Sequence, residues 1–102
     1  MMSGKVEITA FDSADYLNTA EAIAAYLDEY LEDGSPEELR EAMATVARSH
    51  GVSDLSRRSG VSRPGIYKAL GQDGNPSFET VRSILGAMGL RLTVEPAEAE
   101  FT

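Results

Sequence analysis

Ser53-Asp54-Leu55-Ser56-Arg57-Arg58-Ser59-Gly60-Val61-Ser62-Arg63-Pro64-Gly65-Ile66-Tyr67-Lys68-Ala69-Leu70 is the stretch on which the reading of this chain turns. Its spacing predicts a helix-turn-helix over 53–70. A short helix of about 54–59 stops at Gly60, which tolerates the left-handed backbone that a side chain penalises. Val61 plugs the corner, and Ser62 caps a second helix that runs to about Leu70. Ser56 supplies a small side chain where the two helices cross. Val61, Ile66 and Ala69 face the first helix, which leaves Ser62, Arg63, Pro64, Tyr67 and Lys68 pointing outward. A DNA-reading helix presents such a face to the major groove, with its N-terminal residues nearest the bases. Short helix–glycine–helix corners also occur in proteins that never touch DNA, so the pattern is weighed with charge.

The charge is unevenly spread. The chain of 102 residues has a net charge of −8, yet residues 48–68 hold Arg48, Arg57, Arg58, Arg63 and Lys68 against Asp54 alone, a local balance of +4. The basic stretch coincides with the predicted reading motif, as the electrostatics of phosphate binding require. Residues 1–34 have the opposite character. Lys5 faces Glu7, Asp12, Asp15, Glu21, Asp28, Glu29, Glu32 and Asp33, a balance of −7. That acidity is either a solubilising surface or a dock for a basic partner.

Length, at 102 residues, suits one domain with a modest core, and 42% apolar with 25% charged residues is ordinary for a globular protein. No cysteine is present and His50 is the one histidine. Disulfides, thiolate metal sites and histidine-rich metal sites are therefore excluded, and a cytoplasmic location is the expectation. No stretch approaches the roughly 20 apolar residues of a membrane span. Neither a metal nor a cofactor is expected. No enzyme is expected either: Gly71-Gln72-Asp73-Gly74-Asn75-Pro76 lacks the lysine of a phosphate loop, and the serines lack a base to activate them.

Outward from the central motif, Lys5 to Phe11 alternates as a strand does. Asn18 with Glu21 resembles a capping box and opens a helix to about Asp33, with the apolar stripe Ala20, Ile23, Ala24, Leu27, Tyr30, Leu31. Ser35, Pro36 and Glu38 open the next helix. Its stripe is Leu39, Met43, Val46, His50, with His50 read as a half-buried packing residue, and Gly51 stops it. Ser77 caps a last helix over 78–88, with the stripe Phe78, Val81, Leu85, Met88. Leu90 to Glu95 alternates as a second strand, ended by Pro96. The prediction is thus a mainly α chain: a five-helix bundle with a central helix-turn-helix, lambda-repressor-like, with short terminal β-strands. Its parts are an N-terminal strand and turn (1–18), a helical DNA-binding domain (19–89), and a C-terminal strand and tail (90–102). The terminal strands pair with each other, or 90–95 pairs with its copy across a two-fold axis.

Roles in DNA binding follow residue by residue. Arg63 and Lys68 are placed to reach base edges or flanking phosphates, and Tyr67 a phosphate or a thymine methyl. Ser53 and Ser62, at helix N-termini, suit phosphate oxygens. Arg57 and Arg58 on the positioning helix, with Gln72 and Asn75 in the following loop, suit the backbone. Pro64 is tolerated because it falls in the first helical turn.

The runs Phe11-Asp12, Ala14-Asp15-Tyr16-Leu17, Val46-Ala47-Arg48-Ser49-His50-Gly51-Val52, Ser62-Arg63-Pro64-Gly65-Ile66-Tyr67-Lys68-Ala69-Leu70 and Gly74-Asn75-Pro76-Ser77-Phe78-Glu79-Thr80-Val81 carry a resemblance. Over about residues 9–95 the chain resembles the small addiction-module antidote proteins, also called HigA-like antitoxins or DNA-binding prophage proteins. The resemblance implies an antitoxin that binds and neutralises a small basic RelE/HigB-like toxin. It also implies that the antitoxin represses its own operon by binding double-stranded operator DNA through the helix-turn-helix. One recognition helix buries too little surface for tight specific binding, so a homodimer on a palindromic site is expected. Two departures stand out: Pro64 where many relatives have Glu, and Ser56 where Ala is usual at the helix crossing. A phage-type repressor without a toxin, or a protein-interaction module that never meets DNA, are the competing readings.

Overall fold

The computed structural model describes residues 17–97. Five helices follow one another: α1 (Ala20–Asp33), α2 (Pro36–His50), α3 (Val52–Ser59), α4 (Arg63–Leu70) and α5 (Phe78–Ala87). Four of them start on a hydroxyl side chain that replaces a missing acceptor at the first turn. Ser35 Oγ accepts from the Glu38 amide at 3.1 Å while Glu38 Oε1 accepts from the Ser35 amide at 2.9 Å, a complete capping box with Pro36 as first helical residue. Ser62 and Ser77 cap α4 and α5 in the same way. Each such cap contributes about 1 kcal/mol. At α1 the cap is Thr19, whose Oγ1 accepts from the Ala22 amide at 3.0 Å, and not Asn18. The helix begins one residue later than the sequence pattern suggests, and a cap side chain must sit three residues before the amide it holds.

The core is one cluster. Leu17, Ile23, Leu27, Met43, Val46, Leu55, Ile66, Leu70, Ile84, Leu85 and Met88 are buried, and Leu55, Val46 and Ile84 lose all contact with solvent. The short α3 sits at the middle of the bundle and packs against α2, α4 and α5. By contrast α1 packs chiefly along α2. A helix covered on one side buries a narrow stripe, so Ile23 and Leu27 are buried while Ala24 and Leu31, both assigned to that stripe by periodicity, are exposed. Phe78 also departs from its expected place. It is 80% exposed, because the buried face of α5 begins a turn later and continues through Ile84 and Leu85.

The corner between α3 and α4 has the expected geometry. Gly60 has φ +80° and ψ 0°, the left-handed conformation, and its amide donates to the Ser56 carbonyl at 3.0 Å. After α4 the chain doubles back over the end of that helix. A Cβ on Gly74 would stand 2.1 Å from the Ala69 carbonyl oxygen, so only glycine passes there.

The expected strand over 5–11 lies outside the described residues. Among the described residues 90–95 forms no strand, because a strand needs a neighbour and the backbone from Arg91 to Glu95 makes no hydrogen bond here. The helical part of the expectation stands, and among the described residues the C-terminal segment has no strand partner.

Two substitutions separate core from surface. Leu55→Ala is expected to destabilise the fold by about 2–5 kcal/mol in urea denaturation. Phe78→Ala is expected to stay within about 0.5 kcal/mol of the wild type. An equal effect of the two would overturn this placement of the core.

Candidate nucleic-acid interface

Helix α4 is held by the core along its length and by a hydrogen-bonding side chain at each end. Ile66 and Leu70 are buried in the core, which sets its rotation about its own axis. Ser62 fixes its start: Oγ accepts from the Gly65 amide at 3.0 Å. A Cβ on Gly65 would lie 3.0 Å from that oxygen and 3.1 Å from Val61 Cγ1, so this glycine keeps the cap and the corner close together. Arg40, from α2, fixes the other end: its guanidinium donates to the carbonyl oxygens of Leu70 and Gly71. A cation at the carboxyl end of a helix satisfies orphan carbonyls and complements the helix dipole. Sequence reading missed Arg40, since its partners are some thirty residues away in the chain.

With rotation fixed, the outward residues follow from the helical period. Arg63 and Tyr67, and Pro64 and Lys68, are two i, i+4 pairs on one face, and all four are exposed. Tyr67 is 57% exposed, a large aromatic that the core leaves in solvent. Arg63 and Lys68 make no ion pair among the described residues, although Asp73 lines the same groove as Lys68. Ser62 spends an acceptor lone pair on its cap and keeps its O–H free to donate to an anion.

The remaining predicted residues flank this face. Ser53 is exposed in the first turn of α3, where no side chain caps the helix. Arg57 and Arg58 are exposed, but both turn to Asp54. Arg58 Nε lies 2.9 Å from Asp54 Oδ2, and Arg57 Nη2 contacts Oδ1. Such exposed pairs are weak and leave the guanidinium edges available. Gln72 and Asn75 are exposed in the loop after α4. The structure adds Arg48, which sequence analysis counted as charge and left out of the site. It lines a groove of about 220 Å³ together with Tyr67, Val52 and Gly71, which puts a further cation beside the α4 face.

His50 is half-buried, as its place on the stripe suggests, and it also has a polar partner. Its Nε2 lies 2.9 Å from Asp54 Oδ2, and since a carboxylate only accepts, the ring nitrogen donates. The bond ties the last residue of α2 to the first turn of α3. Desolvation pushes the Asp54 carboxyl upward, but the His50 hydrogen bond and the Arg58 and Arg57 charges outweigh it and hold the group below the usual carboxylate value of 3.8. A depressed carboxylate stabilises the fold fully above its unfolded value and loses that contribution as pH falls through the folded one. Stability is therefore expected to drop below about pH 4, and Asp54→Asn to make that acid-side drop shallower in denaturation series. Unchanged acid sensitivity in the variant would remove Asp54 from this role.

The turn between α1 and α2 gathers acids. Glu29, Glu32 and Asp33 of α1 and Glu38 of α2 line one open groove of about 360 Å³ with Tyr30. The acids Glu7, Asp12 and Asp15 of the same sequence third lie outside the described residues. Among the described residues no cluster of His, Cys, Asp and Glu could hold a metal ion, and no helix is long and apolar enough to cross a membrane.

Comparison with known proteins gives two matches. A family model described as "Probable addiction module antidote protein" matches residues 7–96. A protein of Haemophilus influenzae, described as an uncharacterized protein, is 37% identical over 89 residues, which cover 87% of this chain and 92% of that protein. No solved structure matches the chain.

Proposed function

The chain belongs to the family of probable addiction module antidote proteins, and from that premise we propose how it works: α3 and α4 form a lambda-repressor-like helix-turn-helix that reads operator DNA, while the acidic groove at the α1–α2 turn engages a basic toxin. One observation carries the DNA half. The outward face of α4, Arg63, Pro64, Tyr67 and Lys68, is cationic in a chain of net charge −8 and is held rigidly by the core, a cap and Arg40. Rigid presentation matters because base readout is directional.

In this reading Arg63, at the first turn of α4, pairs with a base edge. Lys68 and Tyr67 contact the major groove or its phosphates. Ser53, Ser62, Arg57, Arg58, Arg48, Gln72 and Asn75 hold the phosphate backbone on either side, which sets register without reading sequence. A single eight-residue reading helix buries too little surface for tight specific binding, so two copies act on a palindromic operator and repress the operon that encodes the antidote. The toxin half rests on charge. The groove lined by Glu29, Glu32, Asp33 and Glu38 is complementary to a small basic protein of RelE/HigB-like type.

Fluorescence anisotropy with the duplex from upstream of the gene tests the DNA half, beside a scrambled duplex and across a salt series. Preference for the upstream duplex is expected, with affinity falling steeply as salt rises. Arg63→Ala is expected to cost about 1–3 kcal/mol on that duplex and little on the scrambled one. Operator binding that survives Arg63→Ala unchanged would refute the assignment of the reading face. For the toxin half, Glu29→Lys with Glu32→Lys is expected to weaken capture of a basic toxin encoded beside the gene and to leave operator affinity intact.

A further inference from the structure

The segment after α5 is directed outward by a tight stop. Gly89 is left-handed at φ +87°, its amide donates to the Gly86 carbonyl at 3.0 Å, and the Leu90 amide donates back to the Leu85 carbonyl at 2.9 Å. These two bonds form a Schellman stop. Leu90 is half-buried against the core and pins the exit. From Arg91 to Ala97 every residue is exposed. Leu92 is 41% exposed and Val94 94% exposed, although both have the apolar, strand-favouring character of a buried row. The backbone of Arg91 to Glu95 makes no hydrogen bond among the described residues. An alternating segment with unpaired backbone and an unburied apolar face is a ready edge for another strand.

The sequence of this segment is complementary to itself. In an antiparallel pair centred on Thr93, Leu92 of one copy stands opposite Val94 of the other, and Arg91 opposite Glu95. Apolar residues then share one face and opposite charges the other. A slip of one residue sets Leu92 against Thr93 and mixes the faces. Centring on Arg91 or Glu95 sets like charges against each other, which cross-strand pairs do not tolerate. Pro96 ends the pairing, since it has no amide to donate. We infer that two copies of this chain associate through an antiparallel ribbon of residues 91–95 centred on Thr93, with Arg91–Glu95 and Leu92–Val94 as its cross-strand pairs. The inference deepens the two-copy part of the function proposed above and gives that pair an interface.

Sedimentation equilibrium on the full chain, with no DNA present, tests it. Wild type is expected to associate into a dimer below about 100 μM chain. Arg91→Glu and Glu95→Arg, which each place like charges opposite one another twice per dimer, are each expected to weaken the dimer about tenfold or more. The double reversal is expected to restore it, and Leu92→Lys to weaken it as well. All three positions are solvent-facing, so unchanged helical circular dichroism is the check on folding. A chain that stays monomeric overturns the inference and leaves 90–95 to pair with residues 5–11 of its own chain. A dimer indifferent to the reversals, or one not rescued by the double reversal, overturns the interface. Upstream-duplex binding by the same variants keeps the two proposals apart. Monomeric variants that still prefer the upstream duplex, more weakly, leave the reading face standing, whereas a sound dimer with no preference refutes the reading face alone.

Discussion

Burial of Ile66 beside the rest of the Leu55-centred cluster sets the rotation of α4, and the surface of the molecule follows from that rotation. Were α4 turned by one residue, about 100°, Tyr67 would enter the core and Arg63 would face Val61. The core is small, so this orientation needs support at both helix ends. The Ser62 cap provides it at the start and the Arg40 guanidinium at the finish. Each is a hydrogen-bonding contribution of about 1 kcal/mol or a little more, modest against the cost of ordering eight residues. Their value is directional: they stop an anchored short helix from fraying where it presents its functional side chains.

Charge is distributed in the same economical manner. The cations gather around α3, α4 and the end of α2, and the acids around the α1–α2 turn. Asp54 is the exception inside the basic region, and its surroundings explain it. It receives His50, Arg57 and Arg58 together, so it braces the α2–α3 junction and orders two arginines instead of opposing the cationic face. Family membership gives the acidic surface a use, because an antidote has a toxin to meet, and the reading proposed here sends the cationic surface to DNA.

Much of this was legible in the chain. Caps and stops are local signals, and Ser35, Pro36, Glu38, Gly60, Ser62 and Ser77 fell where the structure has them, because each acts on amides or carbonyls within a few residues. The outward set Arg63, Pro64, Tyr67, Lys68 followed from period and from one buried isoleucine. The misreadings share a cause. Ala24, Leu31 and Phe78 have the right spacing to be buried, but spacing marks a face and does not say whether another helix covers it. His50 lacked a visible partner because its bond to Asp54 crosses a helix boundary, where a within-helix rule does not look. The strand over 90–95 was an alternation with no neighbour in its own described chain.

Residue order alone therefore decided the helices, most of their caps, the α3–α4 corner and the charge segregation, since these arise from interactions between residues close in the chain. Tertiary structure alone decided which apolar stripes are covered, that Arg40 closes the end of a helix thirty residues onward, that Gly74 must cross the Ala69 carbonyl, and that Arg48 stands beside Tyr67. Those contacts join residues far apart in sequence, and nothing in the local pattern of either partner encodes the other's position.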